Sequence, residues 1–162
     1  MKETRKLTEE EQKTNNETLQ HIHNVQAFLK VVISDLVKRG LVHDSTKLEN
    51  PELPLFTVLT KKLAATTYNS PEYKKFLEEL KPALDHHYAK NRHHPEHYSN
   101  GINDMTLIDL IEMFCDWKAA TMRHNDGNLL KSIEINSKRF NIDNQLTSIF
   151  NNTAELLDHK KI

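Results

Sequence analysis

Only three glycines, Gly40, Gly101 and Gly127, fall among 162 residues, and that scarcity narrows the possible folds more than any other feature. A turn-dense β architecture needs glycine at the left-handed positions of its hairpins, and a phosphate-cradling loop needs it so that backbone can approach the anion. Three glycines supply neither. A helical chain remains, and the apolar pattern agrees with it: Val25, Phe28, Leu29, Val32, Ile33 and Leu36 recur at three- and four-residue steps, the stripe of an amphipathic helix. The expected fold class is all-α, one compact helical domain of six or seven helices, since this length suits one sizeable core.

The expected boundaries follow from start and stop signals. Residues 1–16 are polar and charged and read as a lead-in, either frayed or a solvated turn capped by Thr8 with Glu11 three residues on. Residues 17–39 form the first core helix, with Gly40 as its C-terminal cap. Asn50 and Pro51 open a second helix to about residue 65, and Ser70, Pro71 and Glu72 repeat the signal. Pro82 lacks the donor that a helix interior requires, so it kinks the next helix or begins a separate one to about residue 90. Residues 91–103 have no helical period and form an ordered loop. Thr106 with Asp109 opens a strongly apolar helix to about His124, which Asp126 and Gly127 end; two more helices cover roughly 129–140 and 143–157, and the tail 158–162 frays. The helical domain is therefore 17–157.

Charge and cysteine content exclude several classes. A net charge of -1 argues against a dedicated nucleic-acid surface, which needs a positive excess to neutralise phosphates, while small anionic ligands remain compatible. The single cysteine, Cys115, excludes an internal disulfide and any multi-cysteine zinc site, and the reducing cytoplasm is the simplest home for such a chain. No apolar h-region follows Met1, and the longest apolar stretch, Val31, Val32 and Ile33 with Leu36 and Val37, is too short for a membrane span.

Ten histidines are the other anomaly, because imidazole is the commonest metal ligand. His21 lies four residues before Val25 and seven before Phe28, on the apolar face of the first helix, where it needs a partner. His23 is rotated by about 200° at 100° per residue and faces solvent. His87 follows Ala83 by four and Leu84 by three, which makes it the inward member of its pair, with His86 in reserve. His93 and His94 both precede Pro95, and nothing in the spacing separates them; His93 stands in the ligand set with His94 as its alternative. Asp116 lies within a turn of Met113 and Ala120 in the most apolar helix, where a carboxylate needs a cation or strong donors, and Glu112 is one turn earlier on the same face.

Each of these residues alone has a plainer reading: His43 and Asp44 as a surface turn, Asp116 as a partner of Lys118 or Arg123, residues 86–97 as a solvated loop. Together His21, His43, Asp44, His87, His93 and Asp116 suit a two-metal site. Such a set favours Fe, Mn, Zn, Co or Ni over Ca or Mg, and a carboxylate such as Asp44 can bridge ions about 3.5 to 4 Å apart. Lys47, four residues after His43, would share its side in a continued helix and there hold a phosphate oxygen or the nucleophile. Asn91 and Arg92 neighbour the ligands and are candidate substrate contacts, and Glu52 is a candidate partner of Lys47.

The order His21, His43 with Asp44, further histidines and a distant Asp116 resembles the HD-domain superfamily of metal-dependent phosphohydrolases. The run HDSTK at 43–47 resembles the HD-x-x-K form of its two-metal members. The stretches HHYAKNRHHPEHY and MTLIDLIEMFCDWKAAT are similar to an uncharacterised branch from bacteria and their phages, over residues 20–153. The resemblance implies an all-α fold with His21, His43, Asp44 and Asp116 as core ligands and the added histidines on a second metal. It does not give the substrate; the favoured reading is hydrolysis of a phosphoester, in a nucleotide or nucleotide-like small molecule, by metal-activated water, with Asp44 and Lys47 as the catalytic residues. Di-iron oxygenases on a similar ligand set, and a metal-stabilised protein that binds a ligand without turnover, are the alternatives.

Overall fold

A computed structural model describes residues 5–67, 70–123 and 127–158, and among them the regular elements are all helical, with no strand. In chain order they are α1 (Glu9–Val42), α2 (Glu52–Ala64), α3 (Pro71–Lys90), α4 (Leu107–Thr121), α5 (Leu129–Arg139) and α6 (Asn144–Asp158), with short 3-10 turns at Ser45–Leu48, Pro95–His97 and Gly101–Asp104. The protein is all-α. None of these helices is long and apolar enough to cross a membrane. The chain divides into two units, residues 1–41 and 42–162, so the internal boundary falls well beyond the polar lead-in.

The first unit is α1. Its start is fixed by a reciprocal cap: Thr8 N donates to Glu11 Oε2 at 2.8 Å and Glu11 N to Thr8 Oγ1 at 3.2 Å, while Glu9, Glu10 and Glu11 offset the positive end of the helix dipole. Residues 9–16 are therefore helical from the Thr8 and Glu11 cap onward, the second of the two expected alternatives, and continuous with the rest of α1. Gly40 does not cap the helix either, because the chain stays helical to Val42. The larger correction concerns its face. The apolar stripe is present, yet α1 has no buried residue, Phe28 is 73% exposed, and His21 and His23 both lie at the surface. Periodicity decides which residues share a face and supplies nothing to cover it.

In the second unit, α2 and α3 pack through Leu59, Leu80 and Ala83. Ser70 caps α3 by accepting from Tyr73 N at 3.1 Å, with Pro71 in the first turn. Pro82, expected to kink this helix or begin a separate one, lies inside a single helix; the burial of Leu80 and Ala83 against α2 holds the helix across the missing donor. A second core joins Met113, Phe114 and Trp117 of α4, Leu129 and Ile133 of α5, and Ile142, Phe150 and Ala154 at and within α6. Each large side chain buried there contributes about 1.5–3 kcal/mol. Gly127 is required by space: a Cβ there would stand 1.8 Å from the Thr121 carbonyl oxygen. His124 and Asp126, expected near this helix end, lie outside the described residues.

The connection from α3 to α4 is tied down at several points. Arg92 grips the buried Asp109 with Nε and Nη2, each 3.2 Å from a different carboxylate oxygen, while Asp109 also completes the capping box of α4 with Thr106. His97 Nδ1 donates to the Tyr88 carbonyl at 2.8 Å, and Arg139 on α5 pairs with Glu96 at 2.7 Å. These bonds fix residues 91–94 between α3 and α4.

Candidate metal centre

The centre is built around Asp44, which opens the 3-10 turn Ser45–Leu48. Asp44 adopts a left-handed backbone, φ 55 and ψ 14, a conformation that costs most side chains 1–2 kcal/mol or so and that Asp tolerates better than most. The chain then turns directly into the 3-10 segment, so Lys47 is not carried on a continued α-helix. Lys47 N donates to Asp44 O at 2.9 Å and its Nζ folds back to 2.6 Å from Asp44 Oδ2.

The carboxylate of Asp44 has two differently occupied sides. Oδ1 lies 3.3 Å from His87 Nε2 and 3.5 Å from His93 Nε2. Oδ2 lies 3.6 Å from His43 Nε2, which in turn is 3.5 Å from Asp116 Oδ1. His94 Nε2 stands 2.9 Å from His87 Nε2. Two donors held about 2.1 Å from one ion are about 3.0 Å apart at right angles and about 3.4 Å apart in a tetrahedron, so these are the edge lengths of coordination polyhedra and mostly too long for good hydrogen bonds. Asp44, His87, His93 and His94 form one group whose donors all lie within 4.8 Å of one another; His43, Asp44 and Asp116 form a second; His43, His93 and Glu112 form a third. Asp44 Oδ1 and His93 Nε2 are both buried without a hydrogen-bond partner, and imidazole with carboxylate is the donor chemistry of a divalent transition ion. The residues present therefore fit a metal.

Two glutamates contact the histidine rings of these groups, Glu112 itself belonging to the third. Glu52, fully buried at the start of α2, uses Oε1 for His86 Nδ1 and Oε2 for His87 Nδ1, each at 2.8 Å. Glu112 Oε1 is 2.9 Å from His43 Nδ1 and 3.2 Å from His93 Nδ1. Asn91 Nδ2 donates to the His87 carbonyl at 2.8 Å and to Thr46 Oγ1 at 3.0 Å, which joins the end of α3 to the 3-10 turn after Asp44.

The crowding of charge shows in the titration of the groups. Asp116, then Glu112, accept from the His43 ring and push its pKa up to about 10. Burial works to raise Asp44 and Asp116, but polar contacts outweigh it: the His87 ring and Lys47 hold Asp44, and His43 holds Asp116, below the ordinary carboxylate range. Burial, then the adjacent His93 and His87, lower His94 to about 3, which keeps its ring in the neutral form that ligates metals.

Of the residues singled out in the sequence, His43, Asp44, His87, His93 and Asp116 come together, with Lys47 against Asp44. His21 is exposed on α1 and is in none of the three groups. Both members of the His93, His94 pair turn inward, because the tight turn in which His94 N donates to Asn91 O presents the two rings to the same space. Glu52 pairs with His86 and His87 and not with Lys47, whose partner is Asp44. Asn91 is buried, and Arg92 pairs with Asp109 while its guanidinium stays half-exposed, so both candidate substrate contacts also have partners in the scaffold. Sequence reasoning gave Glu112 no role; its position one turn before Asp116 was the signal available.

The whole-chain comparisons add one finding. A family model described as "Family of unknown function (DUF5662)" matches residues 10–159. No curated protein and no solved structure matches the chain.

Proposed function

The chain belongs to the DUF5662 family, and we propose that it is a metal-dependent phosphohydrolase whose centre takes two divalent transition ions and whose substrate is a nucleotide or nucleotide-like phosphoester. The observation that carries this reading is the two-sided use of Asp44, with Oδ1 turned to His87 and His93 and Oδ2 to His43 and Lys47. A carboxylate so placed joins two donor sets into one centre. The likeness of HDSTK to two-metal HD phosphohydrolases supports the same reading.

Charge favours two ions and an anionic substrate. Asp44, Glu52, Glu112 and Asp116 bring four carboxylates to the centre and its edge, which a single dication with Lys47 and a protonated His43 would only balance. Two dications with Lys47 outweigh the carboxylates and attract a phosphate. When bound, such ions supply Lewis acidity toward a phosphoryl oxygen and bring the pKa of water toward neutrality. The chain's own part is to hold the substrate and meet its charge. The Lys47 ammonium, 2.6 Å from Asp44 Oδ2 and partly exposed, contacts the phosphoryl oxygens as negative charge grows on them.

The test is metal analysis joined to a substrate screen. Protein loaded in turn with Mn, Fe, Co, Ni and Zn should bind close to two equivalents of at least one of them and release phosphate or a nucleotide from at least one member of a phosphoester panel. Binding of at most one equivalent overturns the two-ion centre. An iron-loaded protein that consumes oxygen and hydrolyses nothing gives the oxygenase chemistry precedence, and a tight complex with an intact nucleotide makes it a binding protein.

A further inference from the structure

Histidine offers a metal only one of its two nitrogens at a time, and the hydrogen bond at the other decides which. On α4, Glu112 Oε1 lies between two rings, 2.9 Å from His43 Nδ1 and 3.2 Å from His93 Nδ1. The rings stand with centroids 4.4 Å apart, close enough for one oxygen to serve both, and a carboxylate oxygen has two lone pairs with which to accept two N–H groups. The opposite nitrogens of the same rings face the acidic donors: His43 Nε2 toward Asp116 and Asp44, His93 Nε2 toward Asp44.

Resting on the metal-centre reading above, we infer that Glu112 is a positioning residue of the centre: through Oε1 it holds the Nδ1–H of both His43 and His93, so that both rings present Nε2 to the ions, and it is not itself a ligand. Were Glu112 instead to share an ion with the two Nδ1 atoms, both Nε2 atoms would face Asp44 and Asp116 with no ion between. His93 Nε2, buried and already without a hydrogen-bond partner, would stay unsatisfied, as would Asp44 Oδ1 beside it. The Nε2 arrangement removes both orphans together. Glu52 repeats the device for His87, whose Nδ1 it holds at 2.8 Å while Nε2 faces Asp44 Oδ1 and His94. Each outer carboxylate also makes its imidazoles more basic and hence better donors.

Zinc alone is the probe, so hydrolysis plays no part in the test. Zinc uptake by the full chain and by Glu112→Gln is measured by competition with a chelator, and the histidine side-chain nitrogens of zinc-loaded wild type are read by 15N NMR. Glu112→Gln should keep the wild-type number of equivalents and bind them 10–100-fold more weakly, as loss of an outer carboxylate does. In wild type, His43 and His93 should show zinc at Nε2 and a proton on Nδ1, a readout that does not depend on whether the variant folds. Loss of one equivalent in Glu112→Gln, unchanged affinity, or zinc at Nδ1 of either ring overturns the assignment. A wild type that takes up no zinc overturns this inference and the metal centre together, whereas zinc binding with the expected tautomers and no hydrolysis leaves this inference standing and removes only the proposed activity.

Discussion

Asp44 Oδ1 and His93 Nε2 face each other across 3.5 Å, both buried and neither with a hydrogen-bond partner. Each such orphan costs about 1–3 kcal/mol, and folding has placed the two beside His87 and His94, not against donors that would satisfy them. A dication between them would satisfy both. If the centre takes a metal as proposed, its variants should separate by which side of Asp44 they touch.

Asp44 belongs to two of the three donor groups and Asp116 to one. Asp44→Asn should therefore strip most bound metal, and Asp116→Asn should leave about half of it, judged by elemental analysis of protein purified and reloaded in parallel. Full occupancy in Asp44→Asn would remove the bridging role.

Lys47 should separate binding of metal from turnover, because an ammonium does not ligate an ion. Lys47→Ala is expected to keep its metal and lose about 10²–10³ in kcat if the ammonium meets charge that grows in the transition state. A rise in KM at constant kcat would assign it to substrate anchoring, and unchanged kinetics would leave it as a surface partner of Asp44.

His21 distinguishes the geometry from the resemblance. It is exposed on α1 and outside the donor groups, so His21→Ala should bind as much metal as wild type, as should His23→Ala. Metal loss confined to His21→Ala would show that the HD pattern, in which this position is a core ligand, describes the working site better.

The metal-free protein should be most stable in mildly acidic solution. His43 has its pKa raised from 6.5 to about 10 by folding, so its contribution is complete below pH 6.5 and disappears as pH climbs to 10. Asp44, Asp116 and Glu52 are held below their unfolded values of 3.8 and 4.5, so theirs is present above those values and declines as pH falls beneath them. Thermal melts of chelator-treated protein should show Tm falling between pH 6.5 and 10, and His43→Gln should flatten that fall; an equally steep fall in the variant assigns it to other groups.

Arg92 is expected to matter for stability more than for substrate. Its guanidinium is half-exposed but its partner Asp109 is fully buried, and Arg92→Ala leaves that carboxylate with fewer donors, a cost of about 1–3 kcal/mol. Denaturant melts check the loss, and a larger effect on KM than on stability would restore the substrate role.

The sequence by itself determined what local chemistry can encode. Three glycines and the three- and four-residue apolar steps implied an all-α chain, Thr8 with Glu11 and Thr106 with Asp109 marked helix starts, because caps and periodicity act within a few residues of chain; the ordered histidines and aspartates put His21, His43, Asp44, His87, His93 and Asp116 into one set, of which the donor groups contain all but His21. Tertiary structure decided everything that depends on what lies opposite. Pro82 stays helical because α2 covers its neighbours, α1 runs past Gly40 to Val42, His94 joins His93 because a turn at Asn91 aims both rings, and Glu52 and Glu112 meet the rings of His87 and His43 across 35 and 69 residues of sequence. A hydrogen bond between segments so far apart leaves no period or spacing in the chain, since its strength is set by distance and direction in space and not by separation along the backbone.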